Sequence, residues 1–221
     1  MAFVTVLQEH FWGFLQAVGV TLRLTAVSLI LAVIIGLFFA FLKLSKKRVL
    51  VLIANAYIGL VRGLPLIVQL MFLYFGISAI VTLSSFWAGS LALAFHAGGY
   101  VAEIFRGAIQ GIDRGQTEAA RSLGMSSRLS MRLIVLPQAF RNAIPSLGNQ
   151  FIIGLKDSSL VAYLGVPELY GRAMTAAAAN YQPFETYLVA GLYYLTLVLI
   201  FTWLVHKLEA RLTPHRQEAN R

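Results

Sequence analysis

The stretch TEAARSLGMSSRLSMRLIVLP, Thr117 to Pro137, is a polar, helix-forming hairpin set between two apolar segments. Glu118-Ala119-Ala120 is followed by Gly124 and then by Ile134-Val135-Leu136-Pro137. Thr117 or Asp113 can cap a short helix, and Glu118 in its first turn suits the positive end of the helix dipole. Ala119, Ala120 and Leu123 form a compact apolar face, with Arg114, Gln116 and Arg121 around it. Gly124 reads as the left-handed residue that stops this helix, and Ser126 or Ser127 starts a second. Alanines at a helix tip allow close approach to a partner's groove. On the pattern alone, an ordinary loop of two capped turns fits as well.

Outward from the hairpin the chain is apolar. Of 221 residues 58% are hydrophobic and 12% charged, and a soluble domain carries about twice that charged fraction. This composition predicts one all-α membrane domain, residues 1–221. Leu24–Leu42 is the first clear span and would rise about 28 Å, close to the hydrocarbon thickness. Before it, Met1–Leu22 reads as an amphipathic helix on the outer surface. Val49–Val81 as one helix would measure about 50 Å, too long for a span. Arg62-Gly63-Leu64-Pro65 divides it into an interfacial helix and a span over Leu64–Val81. Within these, Gln69 is expected to bond a neighbouring helix. Phe86–Ile109 is the third span, with a small-residue face interrupted by His96 and Glu103. Ile144–Val166 is the fourth, with Pro145 in its first turn. An external segment, about residues 167–183, holds a short helix from Glu168 to Ala179. Tyr187–Val205 is the fifth span, and the tail from Lys207 is charged.

The basic residues give an orientation. Lys43, Lys46, Lys47, Arg48 and Arg62 share a side with the arginines around the hairpin and with Lys207, Arg211, Arg216 and Arg221. Only Arg172 is clearly opposite. By the positive-inside rule the amino terminus is outside, and the hairpin (about residues 113–137) and carboxyl terminus are cytoplasmic. The net charge of +9 thus serves orientation and not nucleic-acid binding.

The string EAARSLGM…IVLPQA resembles the cytoplasmic coupling loop of permease subunits of bacterial ABC importers, with Glu118, Ala119, Ala120, Gly124, Ile134, Leu136 and Pro137 on the pattern. Further strings resemble the branch that takes up polar amino acids: RGLPLIVQ from Arg62, GYVAEIFRGA from Gly99, LGNQ from Leu147, KDSSL from Lys156 and VPEL from Val166. The chain departs from that branch at Leu64, where Thr is usual, and at His96, where a small or apolar residue is usual. The resemblance implies an ABC importer type I permease-like fold of five transmembrane helices in the bacterial cytoplasmic membrane. It implies a dimer with an identical or paralogous permease, an ABC ATPase docked on Glu118, Ala119, Ala120, Leu123 and Gly124, and an extracytoplasmic amino-acid-binding protein. ATP and Mg would bind the partner ATPase. The chain itself has no G-x-x-x-x-G-K-[ST] motif, no Cys and no metal-ligand spacing, so no cofactor, metal or catalytic residue is assigned to it.

Charged groups inside a span are costly and must be paired or face water. Lys156 is expected about 18 Å along from Ile144, near the bilayer midplane. Adjacent helical residues point about 100° apart, so Lys156 and Asp157 each need another partner. A zwitterion offers both: its α-carboxylate suits Lys156 and its α-ammonium suits Asp157, with hydroxyls from Ser158 and Ser159. The resemblance implies a translocation lining here. Glu103 is a further candidate for an ammonium or guanidinium group, set against the plainer reading of a salt bridge with Arg106, Lys156 or a neighbouring chain. Glu103, Asp157 and His96 also fit a different class, an ion-coupled secondary transporter. That class predicts an inverted repeat, and five spans do not divide into two halves. A non-transporting scaffold would leave Lys156 and Asp157 unexplained.

Overall fold

The first helix, α1, runs unbroken from Ala2 to Lys43. The surface helix expected over Met1–Leu22 and the span expected after it are therefore one element, about 63 Å long. Nothing in the sequence stops it. Thr21, Thr25 and Ser28 donate their hydroxyls to the carbonyls of Ala17, Thr21 and Leu24, one turn back, so they serve the helix interior and cap no new helix. The first half is not a surface element either, because Val6, Phe14 and Ala17 are in the core. The computed structural model describes residues 2–78 and 80–212, all helix or connection with no strand among them.

The division at Arg62–Pro65 holds. α2 (Arg48–Gly63) ends where Leu64 turns extended ahead of Pro65, and α3 (Leu66–Ser78) leaves at 112° to it. With 13 residues, α3 rises only about 20 Å, less than a bilayer core, so the expected Leu64–Val81 span is half of a bent pair. The bend frees carbonyls at the end of α2. Gln69 reaches back from α3 and donates to Val61 O and Leu64 O, both at 2.8 Å.

α4 (Ser85–Gln110) is one helix over the residues expected for the third span, and it packs along α1. The approach is close: a Cβ on Gly36 would fall 2.5 Å from Val101 Cγ1 and 2.9 Å from Ala102 N. After the hairpin helices α5 (Arg114–Ser122) and α6 (Ser127–Ser130), one π-helical turn over Met131–Val135 feeds α7 (Leu136–Asp157). This corrects the fourth span. The helix starts at Leu136, Pro137 lies in its first turn, and Pro145 lies inside it, costing one bond to the Arg141 carbonyl. Asp157 is then the last residue of α7. A 3₁₀ turn, Ser158–Leu164, follows and stops at Gly165 with φ +82°.

α8 (Leu169–Asn180) and α9 (Pro183–Leu212) complete the chain. α8 does not lie loose on the outside. Leu169 and Ala173 join Val6, Phe14, Leu155 and Val189 in one core cluster, so α1, α7, α8 and α9 meet there. By length and composition α1 and α9 can each cross a membrane alone, and the bent α2–α3 pair can form a third crossing. Lys207 and Arg211 lie near the end of α9, whereas Arg216 and Arg221 lie outside the described residues.

Candidate functional site

Helices α1, α4 and α7 border a small cavity of about 20 Å³ with a mostly apolar surface, whose lining residues include Thr25, Ser28, His96, Gln150 and Asp157. That volume holds one water-sized group. Gln150, Gly154 and Asp157 recur at helical spacing on one face of α7, and Gly154 lets Thr25 approach, since a Cβ there would lie 3.3 Å from the Thr25 methyl. His96 comes in from α4. Its Nδ1 lies 3.3 Å from Gln69 Oε1, which ties the cavity wall to the α2–α3 bend.

Two residues singled out separately in the sequence, Asp157 and His96, therefore line one cavity. Thr25, Ser28 and Gln150 were not among the sequence candidates. Their only signal is a hydroxyl or amide recurring every turn or two in an apolar helix, which ordinary packing residues also produce.

The rest of the Lys156–Ser159 string points elsewhere. Lys156 is exposed, and among the described residues neither it nor Asp157 forms an ion pair. It lies one residue from the end of α7, which gives way at Ser158 to the 3₁₀ turn where one continuous helix to Val166 is expected from the sequence. Ser158 is buried and donates to Leu155 O at 2.8 Å, and Ser159 donates to Lys156 O at 2.7 Å. Both hydroxyls close the turn from α-helix to 3₁₀-helix.

Glu103 lies two helical turns from His96, at the far end of α4. Lys43 Nζ donates to its Oε1 at 2.7 Å, and Arg106 Nε donates to its Oε2 at 2.9 Å. The carboxylate thus locks the end of α1 to α4, and it borders a cleft of about 530 Å³ between α4 and α7 that Asn142 and Ser146 also line. Pairing with Arg106 is one of the expected arrangements, while Lys43 enters from a distant part of the chain. Glu103→Gln is expected to leave two cations facing each other, each about a quarter exposed. The expected loss is about 2 kcal/mol of stability, read as a lower thermal midpoint. Lys43→Met in the same chain should recover part of it. An unchanged midpoint in Glu103→Gln would show that the pairs contribute nothing.

The hairpin is built as its sequence reads, with one shift. Asp113 caps α5, accepting from Gly115 N at 2.6 Å, so Glu118 falls in the second turn and not the first. Gly124 is left-handed at φ +83°. Met125 N donates to Ala120 O and Gly124 N to Arg121 O, the paired bonds of a glycine-terminated helix. Ser126 caps α6 through Leu129 N, and Arg121 Nη1 donates to Ser127 Oγ at 2.6 Å, stapling the two helices. Ala120 faces inward, Glu118 and Ala119 face out, and Leu123 projects at 84% exposure. Among the described residues no three His, Asp or Glu side chains gather to hold a metal.

The chain as a whole is similar to known proteins. Residues 32–214 match the family described as binding-protein-dependent transport system inner membrane component. The arginine transport system permease protein ArtQ of Bacillus subtilis (strain 168) is 38% identical, over 90% of this chain and 91% of its own. The nopaline transport system permease protein NocM of Agrobacterium fabrum (strain C58) is 36% identical, over 96% and 92%. Among solved structures, a chain of an amino acid ABC transporter with histidines superposes with a TM-score of 0.86 at 38% identity, covering 93% of this chain and 96% of that one. The chain therefore belongs to the family of binding-protein-dependent transport system inner membrane components.

Proposed function

We propose that this chain is the pathway-forming permease subunit of an ATP-driven ABC importer for a polar or charged amino acid. The observation that carries the proposal is the hairpin: a glycine-terminated helix that presents an exposed Leu123 beside small residues, at the end of the bundle where the basic residues gather. The relatives named for arginine and nopaline and the amino acid transporter of similar fold support the cargo class.

In this reading the chain crosses the bacterial cytoplasmic membrane five times, amino terminus outside, and pairs with an identical or related permease. One ATPase, holding ATP and Mg, seats on each hairpin. A binding protein delivers the amino acid to the outer face near α8. ATP-driven closure of the ATPases moves the hairpins together and turns the pathway outward. The hairpin transmits motion and does no chemistry, so Glu118 is no catalytic base. Asp157 meets the cargo's α-ammonium and the exposed Lys156 its carboxylate, while Ser158 and Ser159 hold the turn that presents them. Glu103 joins only if a cationic side chain displaces Lys43 or Arg106.

The test is uptake by proteoliposomes holding this chain, its ATPase and its binding protein, offered arginine, histidine, glutamine, glutamate and cystine. Uptake that requires ATP inside the vesicle is expected. Uptake driven by an ion gradient without ATP would overturn the reading in favour of a secondary transporter, for which Asp157 and His96 in one cavity are the fitting pair.

A further inference from the structure

We infer that the first half of α1, with α8 and α9, holds a site for an anionic phospholipid, its phosphate on Arg172 and one acyl chain in the groove between α1 and α9. The inference goes beyond the importer reading and takes from it only the leaflet, the outer one.

The chain leaves one charge at this level unbalanced. Arg172 stands near the start of α8, and its guanidinium is seated against α1 at Gly13. A Cβ on Gly13 would fall 2.5 Å from Arg172 Nη2 and 2.7 Å from its Nε, so a side chain there would evict the guanidinium. Arg172 is half-buried, and its Nε is buried with no hydrogen-bond partner. No carboxylate of the described residues pairs with it. Glu168, one turn back on α8, is spent on Tyr170 N, Gly171 N and the Tyr194 hydroxyl. Two more groups nearby are buried without a partner. His10 Nε2 comes from the turn before Gly13 on the same face of α1, and the Tyr193 hydroxyl from a ring stacked on Phe14 at 5.4 Å. A half-buried cation in a membrane protein needs a counterion. A phosphate fits, because its oxygens accept and a guanidinium donates to two of them at once.

What adjoins Arg172 indicates a lipid. Phe11, Leu15 and Val18 of α1 and Leu192, Tyr193 and Leu197 of α9 line a groove of about 330 Å³. Leu15 and Val18 follow Gly13 along α1, so the groove runs from the level of the guanidinium toward the middle of the span. Next to Gly13, Trp12 projects at 72% exposure and meets Phe11 edge-on. Exposed aromatic rings of this kind sit at the headgroup level of a bilayer. A phosphate at Arg172 then stands at headgroup depth, and the acyl chain below it lies where the groove is. A soluble phosphate would use the guanidinium and not the groove. A zwitterionic lipid would bring its own cation up to Arg172.

The test is lipid retention by the permease–ATPase complex in detergent, read by native mass spectrometry. Dioleoyl phosphatidylglycerol, dioleoyl phosphatidylcholine and glycerol phosphate are added separately at equal concentration. One phosphatidylglycerol per permease chain should survive activation that strips the other two. Retention should fall about tenfold in Arg172→Gln and stay near native in Arg172→Lys, which keeps the charge. Leu15→Trp, which fills the groove and leaves the charge, should lower it as well, and it carries the test if Arg172→Gln does not assemble. Equal retention of phosphatidylcholine, or retention unchanged in Arg172→Gln or in Leu15→Trp, would overturn the site. Glycerol phosphate held as firmly as the lipid would also overturn it, leaving an anion site with no lipid. So would an Arg172→Gln complex that keeps its phosphatidylglycerol but is no longer stimulated by the binding protein, which would make Arg172 a protein contact. Retention is read without transport. ATP-driven uptake without it would remove the lipid site and leave the importer standing, and retention without ATP-driven uptake would do the reverse.

Discussion

Gly124→Val is expected to abolish ATP-driven uptake, at least tenfold down, while the subunit still inserts and assembles. Gly124 sits at φ +83° and closes α5 with two backbone bonds, Met125 N to Ala120 O and Gly124 N to Arg121 O. A β-branched residue held in that conformation costs about 2 kcal/mol. The hairpin has little to set against that cost. It is a short, exposed unit held by the Asp113 and Ser126 caps and the Arg121–Ser127 staple. Strain at Gly124 is therefore relieved by unwinding the end of α5, which moves Leu123, an apolar side chain 84% exposed. Nothing packs on Gly124 itself, so the transmembrane bundle is undisturbed. Gly124→Asn, a residue that visits the left-handed region more readily, should retain most uptake. Leu123→Asp should lose uptake with the hairpin intact, separating the docking side chain from the turn that aims it. Uptake, ATPase stimulation by the binding protein, and recovery of the assembled complex are the three readouts. Normal uptake in Gly124→Val would sink the coupling role of the hairpin.

The hairpin was legible because its signals are local. A cap, a glycine and a second cap lie within a dozen or so residues, and each acts on its own backbone. α4 was legible for the same reason, as an apolar run of small residues between Ser84 and Gly111. The failures share another cause. α1 was divided at Leu22 because span length was used where no stop signal exists, and a helix without a breaker simply continues. In α7 the expected span starts at Ile144 with Pro145 in its first turn, although Pro137 has the same claim, and the π turn before it has no sequence sign. The break at Ser158 puts Lys156 and Asp157 at a helix end, where the sequence expectation has them inside one helix. The cavity itself needs Thr25, His96 and Asp157 from three helices, and the Glu103 lock needs Lys43 from α1. No spacing rule within one segment reports those meetings.

Glu168→Ala is expected to destabilise the chain, and its cause is also a meeting of three helices. Glu168 is fully buried. Its Oε1 accepts from Gly171 N at 2.7 Å, and its Oε2 accepts from Tyr170 N at 3.0 Å and from the Tyr194 hydroxyl at 2.6 Å. One carboxylate thus caps α8 and binds it to α9. Beside it, Leu169 N donates to Thr21 Oγ1 at 3.1 Å, binding the same turn to α1. Alanine removes the cap formed with Tyr170 N and Gly171 N, worth about 1 kcal/mol, and leaves the part-buried Tyr194 hydroxyl without its acceptor, costing about 1 kcal/mol or more. The sum is about 2 kcal/mol, and for a chain of this size the thermal midpoint should fall by about 6 °C. Glu168→Gln keeps the shape and one oxygen but turns an NH₂ toward a donor, so it should fall between native and Ala. Tyr194→Phe removes only one bond and should cost least, about 1 kcal/mol. The order native, Tyr194→Phe, Glu168→Gln, Glu168→Ala is the signature of a structural anchor. If instead Glu168 were a contact for the cargo or its binding protein, the alanine variant would melt at the native midpoint and lose only uptake. That result would reassign α8 from scaffold to binding surface.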